Sequence, residues 1–363
     1  CAISSGVVVS LLGDLYGLSY GMAGILLSAM NIGNMAAAFL AGLLPSKIGQ
    51  KRTVLLLGAG YGIGYLLGAV TEKTFFLLLS FLLIGLAKGA VLNTDSVLVG
   101  THTEDRRASM QIMHAFYATG ALLCPFLFSF FQKAGGTAPM VALSGIGLLL
   151  YGIYLLSPVP NETERKKKNA SSASSEGTAF LRDPVFWLLT FLIFCQNGAE
   201  YGVTGWLVTY YKDRGILSGM LSAYSMTFMW AATLIARLLI AFVLPIRNNF
   251  KALTVMGALC TACYAVLVAL DTPVPALMAL LLFSASMAGV NPMVTASVGQ
   301  NMNAKSMGIM LPIGSIGGIL MPMLIGAVSD AMGLQMGMLT NILPCGGILV
   351  LSLLLQRVSR KRN

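Results

Sequence analysis

The chain has 363 residues, of which 56% are hydrophobic and only 10% charged, with a formal net charge of +10 and a mean hydropathy of +0.81. A soluble domain carries about 25% charged residues, so this composition excludes a water-soluble globule and points to a helical integral membrane protein. The positive charge does not imply a nucleic-acid partner, because the basic residues fall in short loops and the C-terminal tail and not on one face or arm.

Apolar runs of about twenty residues predict twelve membrane-spanning helices. The first covers roughly residues 1–12 and is short. The second covers 21–44 and ends in the loop "GLLPSKIGQKR". The third, 53–72, carries Gly60, Gly64 and Gly68 at four-residue spacing, which lets a neighbouring helix approach closely. The fourth, 75–98, contains Lys88 and Asp95, seven residues apart and so on one face, with a rise of about 10 Å between them. The fifth, 109–132, pairs His114 with Tyr117, and the sixth covers 138–157.

The stretch 158–183, "PNETERKKKNASSASSEGTAFLRD" at its heart, is the one long polar and Ser-rich segment and reads as a linker between two six-helix halves. The seventh span, 185–210, holds "QNGAEYGVTGW", in which Asn197, Glu200, Tyr201 and Thr204 share a helix face. The eighth, 218–244, carries Arg237 near one end, as a gate residue or a snorkelling anchor. The ninth, 251–270, has the C-x-x-C of Cys260 and Cys263, which lacks a second pair or a nearby His and reads as core. In the tenth, 275–298, Asn291-Pro292 breaks the helix, freeing carbonyls for a hinge or a ligand contact. The last two cover 306–329 and 335–356.

Orientation follows from the Lys and Arg distribution. Of the 23, 17 fall on the side that holds the linker and the C-terminus, four on the other, and two, Lys88 and Arg237, inside spans. The linker and C-terminus are therefore expected in the cytoplasm, in a multi-pass protein of the cell membrane. The sequons at Asn161 and Asn169 would then go unmodified. The halves also resemble each other at an offset near 200: "GALLCP" (Gly120–Pro125) with "GGILMP" (Gly317–Pro322), and Pro45, Lys47 and Lys51 with Pro245, Arg247 and Lys251. Two parallel repeats suggest a transporter with its site between them. The offset places the start of the first span some fifteen residues before Cys1, so the sequence is expected to be a fragment of a longer chain.

The loop "GLLPSKIGQKR" resembles the loop 2–3 motif of the major facilitator superfamily, on Gly42, Leu44, Lys47, Gly49 and Lys51. Ser46 stands where that family usually has Asp, which weakens the acid–base latch there. The resemblance implies twelve transmembrane helices in two pseudo-symmetric six-helix bundles, here 1–157 and 184–363 around the linker 158–183, with the motif residues in gating. "HAFYATGALLCP" (His114–Pro125), "GAEYGVTGWLVTYY" (Gly198–Tyr211) and "GGILMP" (Gly317–Pro322) are further similar to the sugar branch that includes fucose permease and related glucose transporters. That branch carries an acid in the fourth helix about where Leu92 falls, whereas here the acid is Asp95.

A lone charge in mid-span costs about 2.5–3.5 kcal/mol on insertion scales, so Lys88, Asp95 and Glu200 are expected to face a cavity. Asn197, Tyr201, Thr204, Trp206, His114, Tyr117 and Asn291 complete the expected solute and ion site. Amides and carboxylates suit hydroxyls, and Trp or Tyr suits the C–H faces of a sugar. Structural readings stand beside this: Lys88 paired with Glu200, Asp95 with Arg106 or Lys47, and His114 bonded to a carbonyl. No Walker loop, paired metal ligands or nucleophile–base arrangement occurs, so no cofactor, metal or enzymatic activity is expected. The expected function is secondary transport of a small polar solute, a sugar, coupled to H+ or Na+, by a monomer in contact only with lipid, solute and ion. A drug or metabolite exporter, or a sensor that kept the fold, are the alternatives.

Overall fold

The computed structural model describes residues 5–102, 119–120, 123–159, 179–243, 246, 248–301 and 304–362. They are helical throughout, with no strand among them. The helices are α1 (Ser5–Tyr16), α2 (Tyr20–Leu43), α3 (Pro45–Ile48), α4 (Gln50–Gly58), α5 (Gly60–Val70), α6 (Thr74–His102), α7 (Leu123–Gln132) and α8 (Ala138–Leu156). A 3-10 turn (Ala179–Arg182) precedes α9 (Pro184–Asp213) and α10 (Gly219–Phe242). Then come α11 (Asn249–Ala269), α12 (Pro273–Met287), α13 (Val290–Asn301), α14 (Ala304–Met332), α15 (Leu334–Thr340) and α16 (Ile342–Arg362).

Among the described residues, nine spans are long and apolar enough to cross a membrane, three of them running through a break between successive helices: α4–α5, α12–α13 and α15–α16. α9 is outside that set although its 30 residues reach about 45 Å. Its Gln196, Asn197 and Glu200 interrupt the apolar run. The first helix extends to Tyr16, four residues beyond the expected end. The remaining boundaries fall within a few residues of expectation where the structure describes them. Residues 160–178 of the linker lie outside the described residues, and so do His114 and Tyr117.

The chain divides into two compact units, Cys1–Leu18 with Ile25–Ser174, and Ser19–Gly24 with Ser175–Asn363. In the first, α5 packs on α6 and α8. A Cβ on Gly60 would stand 2.3 Å from the Leu83 carbonyl oxygen, and one on Gly64 would stand 2.9 Å from that of Ser80. The expected close approach is therefore real, and polar groups lock it. The Ser80 hydroxyl donates to the Gly64 carbonyl (2.7 Å), and that of Ser144 donates to Gly62 (2.7 Å).

The motif loop has its own local logic. Pro45 opens the one-turn helix α3, and Gly49 ends it with φ +88, the left-handed region where a side chain is strained. The Gly49 carbonyl then receives both the amide (3.1 Å) and the hydroxyl (2.9 Å) of Thr53, in the first turn of α4. Lys51 reaches the end of α8 and donates to the Ser157 carbonyl at 2.6 Å, while Lys47 is exposed.

In the second unit α9 lies against α14, α16 and α10. Small residues make its crossing with α14: a Cβ on Gly317 would stand 2.0 Å from the Phe194 carbonyl oxygen. The far end of α9 is anchored by fully buried tyrosines. Tyr210 donates to the Val268 carbonyl (2.9 Å) and Tyr211 to that of Ala276 (3.1 Å). The segment Ser19–Gly24 packs here too. Tyr20 donates its hydroxyl to Asp213 (2.8 Å), and the Gly21 amide donates to Asp330 (2.8 Å). Outward surfaces are apolar, as Leu149 and Ile153 on α8 and Phe242 on α10 illustrate, which suits contact with lipid chains.

Gly317 and Gly346 separate packing from propensity, since a Cβ on Gly346 meets nothing within 4 Å. Gly317→Val is expected to abolish recovery of monodisperse protein in detergent, whereas Gly346→Ala leaves recovery and Tm within a degree or two, as size-exclusion chromatography and thermal unfolding will read. Gly49→Ala is expected to cost about 1–2 kcal/mol through its positive φ, seen as a lowered Tm with the fold retained.

Candidate functional site

The second unit contains a small hollow among three helices, with ≈ 10 Å³ open to a water-sized molecule. α9 supplies Glu200; α10 supplies Met229, Trp230, Thr233 and Arg237; and α12 with its end supplies Ser284, Met287 and Ala288. The α10 residues recur at i, i+3/i+4 and i+7, one face of a helix. That is room for about one water, well below the volume of a ligand pocket.

A polar chain supports Glu200. Gln196, one turn earlier on the same face, donates its Nε2–H to Glu200 Oε2 at 2.5 Å. The Oε1 of Gln196 accepts from Asn291 Nδ2 of α13 at 3.3 Å. Arg237 donates its Nε–H to the carbonyl of Ala288 at 3.3 Å. An acid and a guanidinium thus line the same small space, with Glu200 half-buried and Arg237 exposed. Within a membrane span such charges are tolerated only with polar company. The indole N–H of Trp230 is also buried, without an acceptor among the described residues. Chemically the cavity offers a carboxylate that can accept hydrogen bonds or take up a proton, and cationic donors opposite.

The expected site residues separate into two groups. Glu200, Asn291 and Arg237 come together here. Asn197 and Tyr201 are half-buried on α9, and the Tyr201 ring lies against the backbone of Gly318 in α14, where a Cβ would stand 2.5 Å from the ring. Thr204 turns its hydroxyl back to the Tyr201 carbonyl at 3.5 Å. Trp206 is 0% exposed; it donates its indole N–H to the Pro322 carbonyl (3.1 Å) and meets the Tyr20 ring at 6.0 Å. Lys88 is 6% exposed in α6 of the first unit, and Gly42 lies within α2. The side chain of Asp95 lies outside the described residues, as do His114 and Tyr117.

Gln196, Trp230, Thr233 and Ser284 were not expected. Gln196 sits four residues before Glu200, a spacing at which an amide and a carboxylate meet on a helix, so that signal was available. Trp230, Thr233 and Arg237 also share a legible stripe, but nothing in the sequence says which helix it faces.

The model of the Major Facilitator Superfamily matches residues 2–322. The Saccharomyces cerevisiae (strain ATCC 204508 / S288c) protein "Bypass of stop codon protein 6" is 22% identical over 357 residues, 85% of this chain and 72% of that protein. The glucose transporter GlcP of Staphylococcus epidermidis (strain ATCC 12228 / FDA PCI 1200) is 30% identical over 141 residues, 38% of this chain and 32% of that protein, so the match spans about a third of it. Among solved structures, the nucleoside transporter NupG superposes with a TM-score of 0.78 at 14% identity, covering 98% of this chain and 95% of that chain.

Removing Gln196 strips Glu200 and Asn291 of one partner each. Gln196→Leu is expected to lower stability by about 1–3 kcal/mol, read as a fall in Tm that Asn291→Leu in the same chain does not deepen by a second full increment.

Proposed function

The chain belongs to the major facilitator superfamily, and from that premise we propose a secondary transporter that moves a small polar solute, a sugar, across the cytoplasmic membrane by alternating access, with coupling to H+ or Na+. The observation that carries this reading is the Glu200 carboxylate, held by Gln196 in a membrane helix and lining a cavity with Arg237. Such a group is retained in a bilayer only where it works or is fully paired.

Glu200, Gln196 and Asn291 form the solute-facing wall in this reading, where amides and a carboxylate bond hydroxyl groups in pairs. Protonation of Glu200 couples solute entry to the gradient. Tyr201, Thr204 and Asn197 extend the same helix, and Trp206 sets its packing. Lys88, Asp95, His114 and Tyr117 are proposed contributors from the first half. Gly42, Lys47, Gly49 and Lys51 act in the loop that holds one conformational state, with the linker and C-terminus on the cytoplasmic side. The partial match to a glucose transporter supports a sugar as the solute, as do the three patches similar to the fucose permease branch.

The test is uptake by proteoliposomes containing the full-length protein, with radiolabelled hexoses and deoxyhexoses, with and without an inward proton or sodium gradient. Gradient-driven uptake that falls at least ten-fold in Glu200→Gln is the expected result. Movement of cationic dyes with no hexose uptake would overturn it in favour of an exporter. Hexose uptake unchanged in the variant would return Glu200 to a structural role.

A further inference from the structure

In an α-helix the amide of residue i donates to the carbonyl of residue i−4. Proline has no amide hydrogen. Pro292 therefore leaves the carbonyl of Ala288 without its helical donor, and α12 stops at Met287 before α13 resumes at Val290. Ala288 is 2% exposed, so water does not fill the gap. The donor comes from another helix: Arg237 Nε–H of α10, at 3.3 Å.

The residue beside Pro292 is Asn291, which donates to Gln196, which donates to Glu200. The contacts run from α10, across the break, to α9. Both ends of the run, Arg237 and Glu200, line the same cavity. We propose that Arg237 is a positioning residue: it caps the carbonyl that Pro292 exposes, fixes the α12–α13 break, and through Asn291 and Gln196 sets the place of Glu200. It rests on the reading of Glu200 as the working acid.

This assignment differs from a gate residue or a lipid-facing anchor, because it ties Arg237 to one carbonyl and to one proline. The tie can be tested by suppression. Pro292→Ala restores the amide that the helix lacks, so it makes Arg237 dispensable at Ala288. A cation that instead contacts solute or holds a gate gains nothing from that change.

The experiment compares wild type, Arg237→Met, Pro292→Ala and the double variant of the full chain in detergent micelles and in proteoliposomes. Hydrogen–deuterium exchange is followed in peptides spanning residues 285–297, and uptake of radiolabelled glucose gives KM and Vmax. Arg237→Met is expected to speed exchange in that segment at least ten-fold and to lower Vmax at least five-fold. Pro292→Ala in the same chain is expected to bring exchange back within three-fold of wild type and to recover at least half of Vmax. Where Arg237→Met yields no folded protein, recovery of folded protein on adding Pro292→Ala reports the same suppression. Exchange unchanged by Arg237→Met, or a double variant as fast as the single, overturns the proposal. Restored exchange with uptake still lost overturns it in favour of a direct solute contact. If the wild type takes up no glucose, the sugar reading fails, and the exchange pattern still decides the capping of Ala288.

Discussion

In hydrocarbon no water is available for a backbone amide or carbonyl, so every one must be matched within the chain. Continuous helices meet that demand without help from side chains. Each interruption creates a debt of two or more groups, and the fold is organised around where those groups find partners. Tyr210, Tyr211 and Tyr264 give their hydroxyls to carbonyls of neighbouring helices or helix ends. Trp206 does so inside α14, at Pro322. At the break in the tenth span the partner is a charged side chain, and that is where a polar chain runs toward Glu200.

The same constraint explains why α9 has two dissimilar faces. Toward α14 it carries Gly198, and α14 answers with Gly314, Gly317 and Gly318, so the two backbones come nearly into contact. Small residues suit such a seam, since van der Waals packing is the main attraction between helices in lipid. Toward α10 and α12 it carries Gln196 and Glu200, where the cavity separates the helices. Tyr201, one residue after Glu200, is rotated by about 100°, and so falls on the packing side against Gly318. One helix thus holds the second unit together and supplies its acid.

Hydropathy made the all-helical membrane architecture legible, because bilayer thickness sets the length an apolar run must reach. The close approach at Gly60 and Gly64, the break at Asn291-Pro292 and the odd polarity around Glu200 were each legible as local features. What the sequence could not supply was helix rotation and neighbour choice. The i, i+3, i+4, i+7 stripe of Asn197, Glu200, Tyr201 and Thr204 spans an arc wide enough to touch two neighbours, and α14 takes Tyr201 from it. Arg237 read as a terminal cation because its position along α10 was visible, while its opposition to the Ala288 carbonyl depends on the packing of α10 against α12. Gln196, four residues before Glu200, carried a legible spacing signal that the stripe beginning at Asn197 leaves out.

The choice of amides between the break and the acid has a chemical consequence. A primary amide presents both a donor and an acceptor, and rotation by 180° exchanges them. Gln196 now donates to Glu200 and accepts from Asn291, the arrangement an ionised carboxylate requires. A protonated Glu200 presents an O–H, which the carbonyl of a rotated Gln196 can accept. The Gln196 amino group would then face Asn291, whose own amide must rotate to receive it. An ionised carboxylate at either position, which only accepts, could not serve both states without leaving a buried group unmatched, and an unmatched group in this setting costs about 1–3 kcal/mol. Two amides in series therefore offer a hydrogen-bond partner to either charge state of the acid, and they join α9 to the residue beside Pro292.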